Sequence, residues 1–159
     1  MLDRFDLLLL NLVQRDDSRT ADQLAERVPL SPSAIARRLR RLREEGWIDR
    51  TIALLSTRLT ERRLRALVFI ELAEHADLKG KTALQQRLRS ADEVQFCYET
   101  TGDCDLLALI DCASMSDFNA LCDSVLTADP TVRRYETSFV KKEIKNRPMV
   151  RLDERDAQG

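Results

Sequence analysis

Apolar residues at the start of the chain recur at the three- and four-residue spacing of an amphipathic helix. They are Phe5, Leu8, Leu9, Leu12 and Val13. Asp3 precedes them and Asp6 stands three residues further on, which is the spacing of a capping box. The pattern therefore predicts a first helix that begins after Asp3 and ends near Arg15.

Two more helix starts follow. Thr20-Ala21-Asp22-Gln23 is a second capping box and predicts a short helix. Ser31 is a favoured N-cap, and Pro32 fits the first helical turn because its missing N–H costs nothing there. Gly46 is placed to end this third helix, which we predict over Ser31–Glu45. The inward-facing stripe of the third helix consists of Ile35, Leu39 and Leu42.

A short helix, a tight turn and a longer arginine-bearing helix are the parts of a helix-turn-helix. Small residues at the start of the third helix would let it enter the major groove of DNA, and its arginines would reach phosphates or guanine edges. The predicted DNA-contacting residues are Ser31, Ser33, Ala34, Arg37, Arg38 and Arg41. The alternative is a solvated charged face on an ordinary three-helix bundle. Affinity for duplex DNA that falls steeply with salt would distinguish the two interpretations.

The second half of the chain alternates between strand and helix patterns. Residues 47–56 have a short, strand-like pattern, and the arginine-rich stretch 58–65 is a linker that leads into a second domain. The elements predicted beyond it are a strand at 66–73, a helix at 78–90, strands at 93–100 and 105–111, a helix at 115–128 and a strand at 132–141. This βαββαβ order predicts a ferredoxin-like sandwich. The predicted fold class is α+β, with a winged-helix-like helix-turn-helix domain, a linker strand and a ferredoxin-like domain.

In a ferredoxin-like sheet the first and third strands are central and the other two lie at the edges. Here residues 67–70 and 106–110 are continuously apolar, whereas residues 94–99 alternate. Central strands need cover on both faces, and two helices cover only one. The other face needs a further surface, most simply the same face of a second copy. We therefore predict at least a two-fold dimer, whose paired recognition helices fit a near-palindromic site in double-stranded DNA.

The charge of the chain is asymmetric. Residues 1–65 contain 14 Arg, no Lys and 10 acidic residues, whereas residues 66–159 contain 12 basic and 17 acidic residues. Arginine suits phosphate and guanine because its planar fork donates two hydrogen bonds, although a GC-rich genome explains the same usage. No apolar run approaches the ~20 residues that a membrane span needs. We therefore expect a cytoplasmic protein with no membrane partner.

The four cysteines and the single histidine match no metal-binding motif. The spacings of Cys97, Cys104, Cys112 and Cys122 fit neither a zinc ribbon nor a CxxC motif, and His75 adds little. We expect buried thiols and no cofactor. A redox-sensing role for Cys104, which should lie in a turn, is the alternative. Full function of a Cys104→Ser protein under oxidant challenge would exclude that role.

Residues spread over almost the whole chain match two short signatures in order and spacing. In the first half they are Leu2-Asp3, Asp6, Leu12, Arg19, Leu24-Ala25, Leu30-Ser31, Arg38-Leu39, Leu42, Gly46 and Ile48. In the second half they are Thr101-Gly102-Asp103-Cys104-Asp105-Leu106-Leu107, Asp117-Phe118 and Val140-Lys141. From Leu2 to about Arg147 the chain thereby resembles the leucine-responsive regulator/asparagine-regulator (Lrp/AsnC, feast/famine) family of bacterial and archaeal transcription factors.

The resemblance implies a regulator of amino-acid metabolism or transport. It also implies dimers that assemble into tetramers or octamers, and an amino-acid-like effector bound between dimers near the turn that joins the second and third strands of the sensing domain. The implied effector-binding residues are Thr100, Thr101, Gly102, Asp103, Asp105 and Met115. Gly102 lets backbone amides approach a carboxylate, and Asp103 or Asp105 can accept an ammonium group. A plain hairpin turn, and a core position for Met115, are the alternatives.

The sequence pattern and the resemblance together give the expected domain limits. They are a DNA-binding domain at 1–49, a linker at 50–65, an effector-binding and oligomerisation domain at 66–145 and a tail at 146–159. Pro29 stands where the family commonly has Gly, so the turn before the third helix has to form without a left-handed residue.

Two rival functions remain at this point. Siroheme decarboxylases resemble this family but carry a histidine-bearing signature, and this chain has only His75, so we expect no enzyme. A Soret band on addition of haem or sirohaem would contradict that expectation. The other rival is an effector-binding module whose helix-turn-helix binds no operator and serves only in dimerisation or partner binding.

Overall fold

The computed structural model describes residues 1–74 and 77–158, which form two compact units. The first unit combines residues 1–54 with the tail from residue 145, and the second comprises residues 55–144. Three α-helices build the first unit together with the tail, and they confirm the sequence prediction. They are α1 (Arg4–Val13), α2 (Ala21–Ala25) and α3 (Pro32–Glu44).

The helix ends are built by the side chains that the sequence pattern indicated. The Asp3 carboxylate accepts the backbone N–H of Asp6 at 2.9 Å, and the Asp6 carboxylate accepts the backbone N–H of Asp3 at 3.0 Å. The Ser31 hydroxyl accepts the N–H of Ala34 at 3.3 Å and caps α3. Gly46 follows α3 with φ +76°, a left-handed conformation that favours glycine.

The turn between α2 and α3 is centred on Pro29. The N–H of Leu30 donates to the carbonyl of Val28 at 2.7 Å, which closes a three-residue turn around the proline. Within the described residues no residue other than glycine has a positive φ. The turn therefore forms without a left-handed residue, as its sequence predicted.

The core of the first unit lies between the three helices. Ile35 and Leu42 of α3 are fully buried against Leu9 and Leu24, and Leu39 is 7% exposed. Burying each such side chain stabilises the fold by about 1.5–3 kcal/mol. The core thus fixes which side of α3 faces inward, and leaves the opposite side to solvent.

The linker strand expected within residues 47–56 is absent, and this expectation was wrong. The structure assigns no strand there and places a short helix, α4 (Thr57–Thr60), after it. Ile52, Leu54 and Leu55 are 66%, 70% and 67% exposed. A strand needs a neighbour that accepts its hydrogen bonds, and no segment of the described chain pairs with this one.

The second unit has the predicted βαββαβ order and the α+β class. Its elements are β1 (Leu64–Leu72), α5 (Leu78–Ser90), β2 (Val94–Glu99), β3 (Leu106–Cys112), α6 (Met115–Cys122) and β4 (Val132–Phe139). A π-helical turn, Asp123–Thr127, continues α6. The strands are antiparallel in the order β2-β3-β1-β4, so β1 and β3 are central, as predicted.

The two faces of the sheet have different environments. Alternate residues of β1 and β3, such as Val68 and Ala108, are fully buried in one core with residues of α5 and α6. On the other face Leu67, Phe69, Leu107 and Leu109 stay partly exposed, and neighbouring Tyr98 is 60% exposed. We call the side-chain set Leu67, Phe69, Tyr98, Leu107 and Leu109 the open sheet face. Among the described helices none is both long and apolar enough to cross a membrane.

Candidate functional site

The N-terminal end of α3 presents small polar groups to solvent. Ser31 and Ser33 are exposed, their hydroxyl oxygens lie 3.2 Å apart, and Ala34 is partly exposed beside them. Small side chains let backbone approach a surface closely, and hydroxyls donate to phosphate oxygens. This end of α3 therefore leaves its backbone open to close approach by another surface.

Arg37 lies on the solvent side of α3, away from the buried stripe of Ile35, Leu39 and Leu42. Its side chain is exposed, and it forms no ion pair with any residue that the structure describes. Arg40, on the same exposed side, is likewise unpaired within residues 1–74 and 77–158. These guanidinium groups are available to phosphates or guanine edges.

Arg38 and Arg41 have a different environment, because both pair with the fully buried carboxylate of Asp6. Arg38 Nη1 lies 2.8 Å from Asp6 Oδ1, and Arg41 Nη2 lies 2.6 Å from Asp6 Oδ2. Arg38 Nη1 also lies 2.6 Å from Asp3 Oδ2. These ion pairs attach α3 to the start of α1. Both arginines therefore have a structural role within the domain, which the sequence did not predict.

The ion pairs also shift the pKa values of Arg38 and Asp3. Hydrogen bonds to Asp6 and Asp3 raise the pKa of Arg38. Burial acts to raise the pKa of Asp3, but hydrogen bonds from the Asp6 backbone and the Arg38 guanidinium lower it overall. The sequence pattern predicted a capping role for Asp3 and Asp6, but not their ion pairs with α3. The available signal was the shared three-residue spacing of Asp3 with Asp6 and of Arg38 with Arg41.

The turn between β2 and β3 is held by its own side chains. The Thr100 hydroxyl donates to the carbonyl of Cys104 at 2.6 Å, and the Asp105 carboxylate accepts the N–H of Leu72 at 2.7 Å. Two of the predicted effector-binding groups are therefore partly used in building the turn. The Asp103 carboxylate and the backbone of residues 101–103 remain exposed.

Gly102 is at the tip of this turn with φ +140°, a conformation that favours glycine. A Cβ atom added there would meet no atom within 4 Å, so the surroundings are open. The turn can therefore present backbone amides to an anionic group without side-chain obstruction.

Within one chain, Met115 lies far from the turn between β2 and β3. It begins α6, directly beyond β3, and the turn precedes β3, so the two are separated by the length of that seven-residue strand, roughly 20 Å. The single site expected from sequence is therefore divided between two ends of β3. Met115 is 47% exposed and lies outside the buried core.

The cysteines carry no metal chemistry in the described part of the chain. Cys112 and Cys122 are buried, whereas Cys97 and Cys104 are partly buried. Burial raises the pKa of the Cys97 and Cys112 thiols, and burial with the nearby Cys112 and Asp123 raises the pKa of Cys122 to about 11. No group of metal-ligating side chains occurs among residues 1–74 and 77–158, and His75 lies outside them.

A helix-turn-helix unit and a ferredoxin-like unit on one chain define a two-domain transcriptional regulator. Two family comparisons agree with this class. The winged helix-turn-helix DNA-binding family matches residues 2–49, and the Lrp/AsnC ligand binding domain family matches residues 65–150. The chain belongs to the Lrp/AsnC family and is a DNA-binding transcriptional regulator.

Individual relatives show the same relationship over nearly the full length. The leucine-responsive regulatory protein of Escherichia coli K12 is 32% identical over 148 residues, which cover 91% of this chain and 87% of that protein. The transcriptional regulatory protein DoeX of Halomonas elongata is 32% identical over 144 residues, covering 91% and 90%. A Neisseria meningitidis transcriptional regulator solved in complex with L-Met superposes with a TM-score of 0.83 and 29% identity, covering 94% of this chain and 96% of that one.

Proposed function

We propose that this regulator binds an amino acid or a related small molecule and controls genes of amino-acid metabolism or transport. We further propose that it acts in the cytoplasm and catalyses no reaction. The observation that carries the DNA part of the proposal is Arg37, which is exposed and forms no ion pair within residues 1–74 and 77–158, beside small polar residues on α3 of a Lrp/AsnC family member. The L-Met bound to the related Neisseria meningitidis regulator supports the amino-acid class of effector.

The DNA contact that we propose is centred on the first half of α3. Ser31, Ser33 and Ala34 lie against the DNA, and Arg37 reaches a phosphate or a guanine edge. Arg38 and Arg41, also predicted as contacts, serve first to seat α3 on α1. They reach the DNA only through the guanidinium nitrogens that Asp3 and Asp6 leave free.

The effector site that we propose lies between copies of the chain. Exposed amides at 101–103 suit a carboxylate, and Asp103 suits an ammonium group, so together they match both ends of an amino acid. Met115 lies beyond the other end of β3 and can line the same pocket only if it comes from a neighbouring copy. The division of the site therefore supports an assembly of dimers into tetramers or octamers.

The open sheet face supports the dimer. Its side chains, Leu67, Phe69, Tyr98, Leu107 and Leu109, form a contiguous apolar patch on two central strands and one edge strand. Exposed apolar patches of this kind mark interaction sites, and a second copy offers a self-complementary cover. Two recognition helices related by this two-fold axis would bind two half-sites of a near-palindromic operator.

Selection from a randomised pool of DNA duplexes tests the DNA part of the proposal. The full-length chain should enrich near-palindromic sequences, and its affinity for them should fall by orders of magnitude over a few-fold rise in salt. Absence of enrichment, or binding that salt does not weaken, would favour the module without operator binding.

A thermal-shift screen of the twenty amino acids tests the effector part independently. A ligand that binds only the native state raises the apparent melting temperature. At least one amino acid should raise the Tm at millimolar concentration. No shift with any of them would contradict an amino-acid effector while leaving the DNA result intact.

A further inference from the structure

The C-terminal tail lies along one side of α1 in the first unit. The side-chain amide of Asn11 donates to the carbonyl of Leu152 at 2.9 Å and accepts the N–H of Leu152 at 3.0 Å. The side-chain amide of Gln14 donates to the carbonyl of Val150 at 2.6 Å and accepts the N–H of Val150 at 3.0 Å. Each amide thus bonds both main-chain groups of one tail residue.

This pattern is that of an extended strand bound at its edge. Alternate residues of a strand present N–H and C=O groups to the same side, and Val150 and Leu152 are two residues apart. The two amides are also joined to each other, because Gln14 Nε2 donates to Asn11 Oδ1 at 3.1 Å. Asn11 and Gln14, three residues apart on one helix, therefore replace the neighbouring strand that the tail would otherwise need.

Apolar contacts fix the position of the tail. Leu152 and Ala157 pack against the core of the helix-turn-helix, and a short 3₁₀ helix, Glu154–Gln158, follows the extended part. At the start of this 3₁₀ helix the Asp153 N–H donates to the Asp156 carboxylate at 2.7 Å, which caps the helix. The tail therefore has a defined conformation on this surface.

We propose that the side of α1 bearing Asn11 and Gln14 is a peptide-docking surface, and that this chain's own tail, residues 148–157, is its intramolecular ligand. The DNA-binding unit is built from two stretches of chain, so the chain passes between the two units twice. The docked tail acts as a strap: it adds a second chain connection to the one that residues 50–63 provide. Main-chain recognition makes the docking depend on Asn11, Gln14 and the Leu152 side chain more than on the rest of the tail sequence.

Hydrogen–deuterium exchange on the full-length chain tests the strap. Residues 148–157 should exchange slowly in the wild-type protein, and the double variant Asn11→Ala/Gln14→Ala should lose this protection and have a lower Tm. The amides of α3 should stay protected in that variant. The matched control is Gln85→Ala/Gln86→Ala, which removes one partly exposed and one exposed side-chain amide from α5 and should leave tail exchange unchanged.

Three results would overturn the proposal. The first is a wild-type tail that exchanges as fast as an unstructured peptide, and the second is protection that survives in the Asn11→Ala/Gln14→Ala variant. The third is protection that falls on dilution, which would assign the docked tail to a second copy. None of these results depends on DNA binding, so failure of the strap and failure of the proposed function are distinguishable.

A further measurement, which rests on the proposed function, examines the tethering role. A DNA-binding unit held by only one chain connection samples more positions. In the proposed dimer this lowers the effective concentration of the second DNA-binding unit at its half-site. The Asn11→Ala/Gln14→Ala variant should therefore bind the selected operator several-fold more weakly, with an unchanged dependence on salt. Wild-type affinity in that variant would contradict the tethering role.

Discussion

Arg38 and Arg41 face the carboxylate of Asp6, while Arg37, on the same helix, faces solvent. Asp6 is fully buried, and a buried carboxylate without a partner is costly. Besides the Asp3 N–H, the Asp6 carboxylate accepts hydrogen bonds from both arginines, so the seating of α3 on α1 depends on Asp6. On α3, the arginines that attach the helix to α1 are therefore distinct from Arg37, which is available to DNA.

Replacing Asp6 by Asn should destabilise the DNA-binding unit. The change removes the charge that both partly exposed guanidinium groups face, and loss of such a charged hydrogen-bond partner costs about 2 kcal/mol. The measurement is chemical denaturation of the wild type and the variant. Asp17→Asn is the control, because Asp17 pairs with Arg43 near the surface, where a pair contributes about 1 kcal/mol or less. Equal losses for the two variants would contradict the account.

Acid should remove the contribution of Asp3 to stability. The folded-state pKa of Asp3 is lowered from its ordinary value of 3.8, so its stabilising effect is present above that value and is lost as the pH falls through the lower folded value. The free energy of unfolding of Asp3→Asn should therefore lie below that of the wild type at pH 7, and the difference should shrink below about pH 4. A difference independent of pH would contradict this assignment.

At the scale of elements, local sequence rules predicted most of the structure. The caps at Asp3, Thr20 and Ser31 and the strand pattern of β1 and β3 depend on neighbouring residues, and all formed as predicted. The expected strand within 47–56 did not form, because a strand depends on a partner elsewhere. The ion pairs of Asp6 and the docking of Leu152 join residues 32 to 141 positions apart, and local sequence rules do not pair residues so far apart, even where the spacing of Asp3 with Asp6 matches that of Arg38 with Arg41.

The turn at Gly102 allows an element-scale prediction with a close control. Gly102→Ala and Gly46→Ala each place a Cβ on a residue of positive φ, with no atom within 4 Å of it. Each should lower stability by about 1 kcal/mol through backbone strain. Only Gly102→Ala should also reduce the thermal shift that the effector causes. An equal reduction in both variants would show that the Gly102 turn takes no part in effector binding.

At the scale of the whole molecule, the open sheet face is the basis of the proposed dimer, and the divided effector site is the basis of its proposed assembly into larger oligomers. Phe69→Glu places a charge on a central strand of the open face, and it should convert the proposed dimer to a monomer because a desolvated carboxylate has no partner there. Light scattering at micromolar concentration is the measurement. Leu78→Glu is the control, since Leu78 is 80% exposed on α5 and lies away from that face. A Phe69→Glu protein that stays dimeric would place the interface elsewhere.

The salt dependence of binding to the selected operator tests the central claim, that α3 binds DNA through Arg37. The logarithm of the wild-type binding constant should fall linearly with the logarithm of salt concentration, and Arg37→Ala should make that slope shallower by about one unit for each copy bound. Arg41→Ala should change the slope less and lower the Tm more, because Arg41 is engaged with Asp6. A salt-insensitive wild type, or an Arg37→Ala slope equal to that of the wild type, would contradict the account.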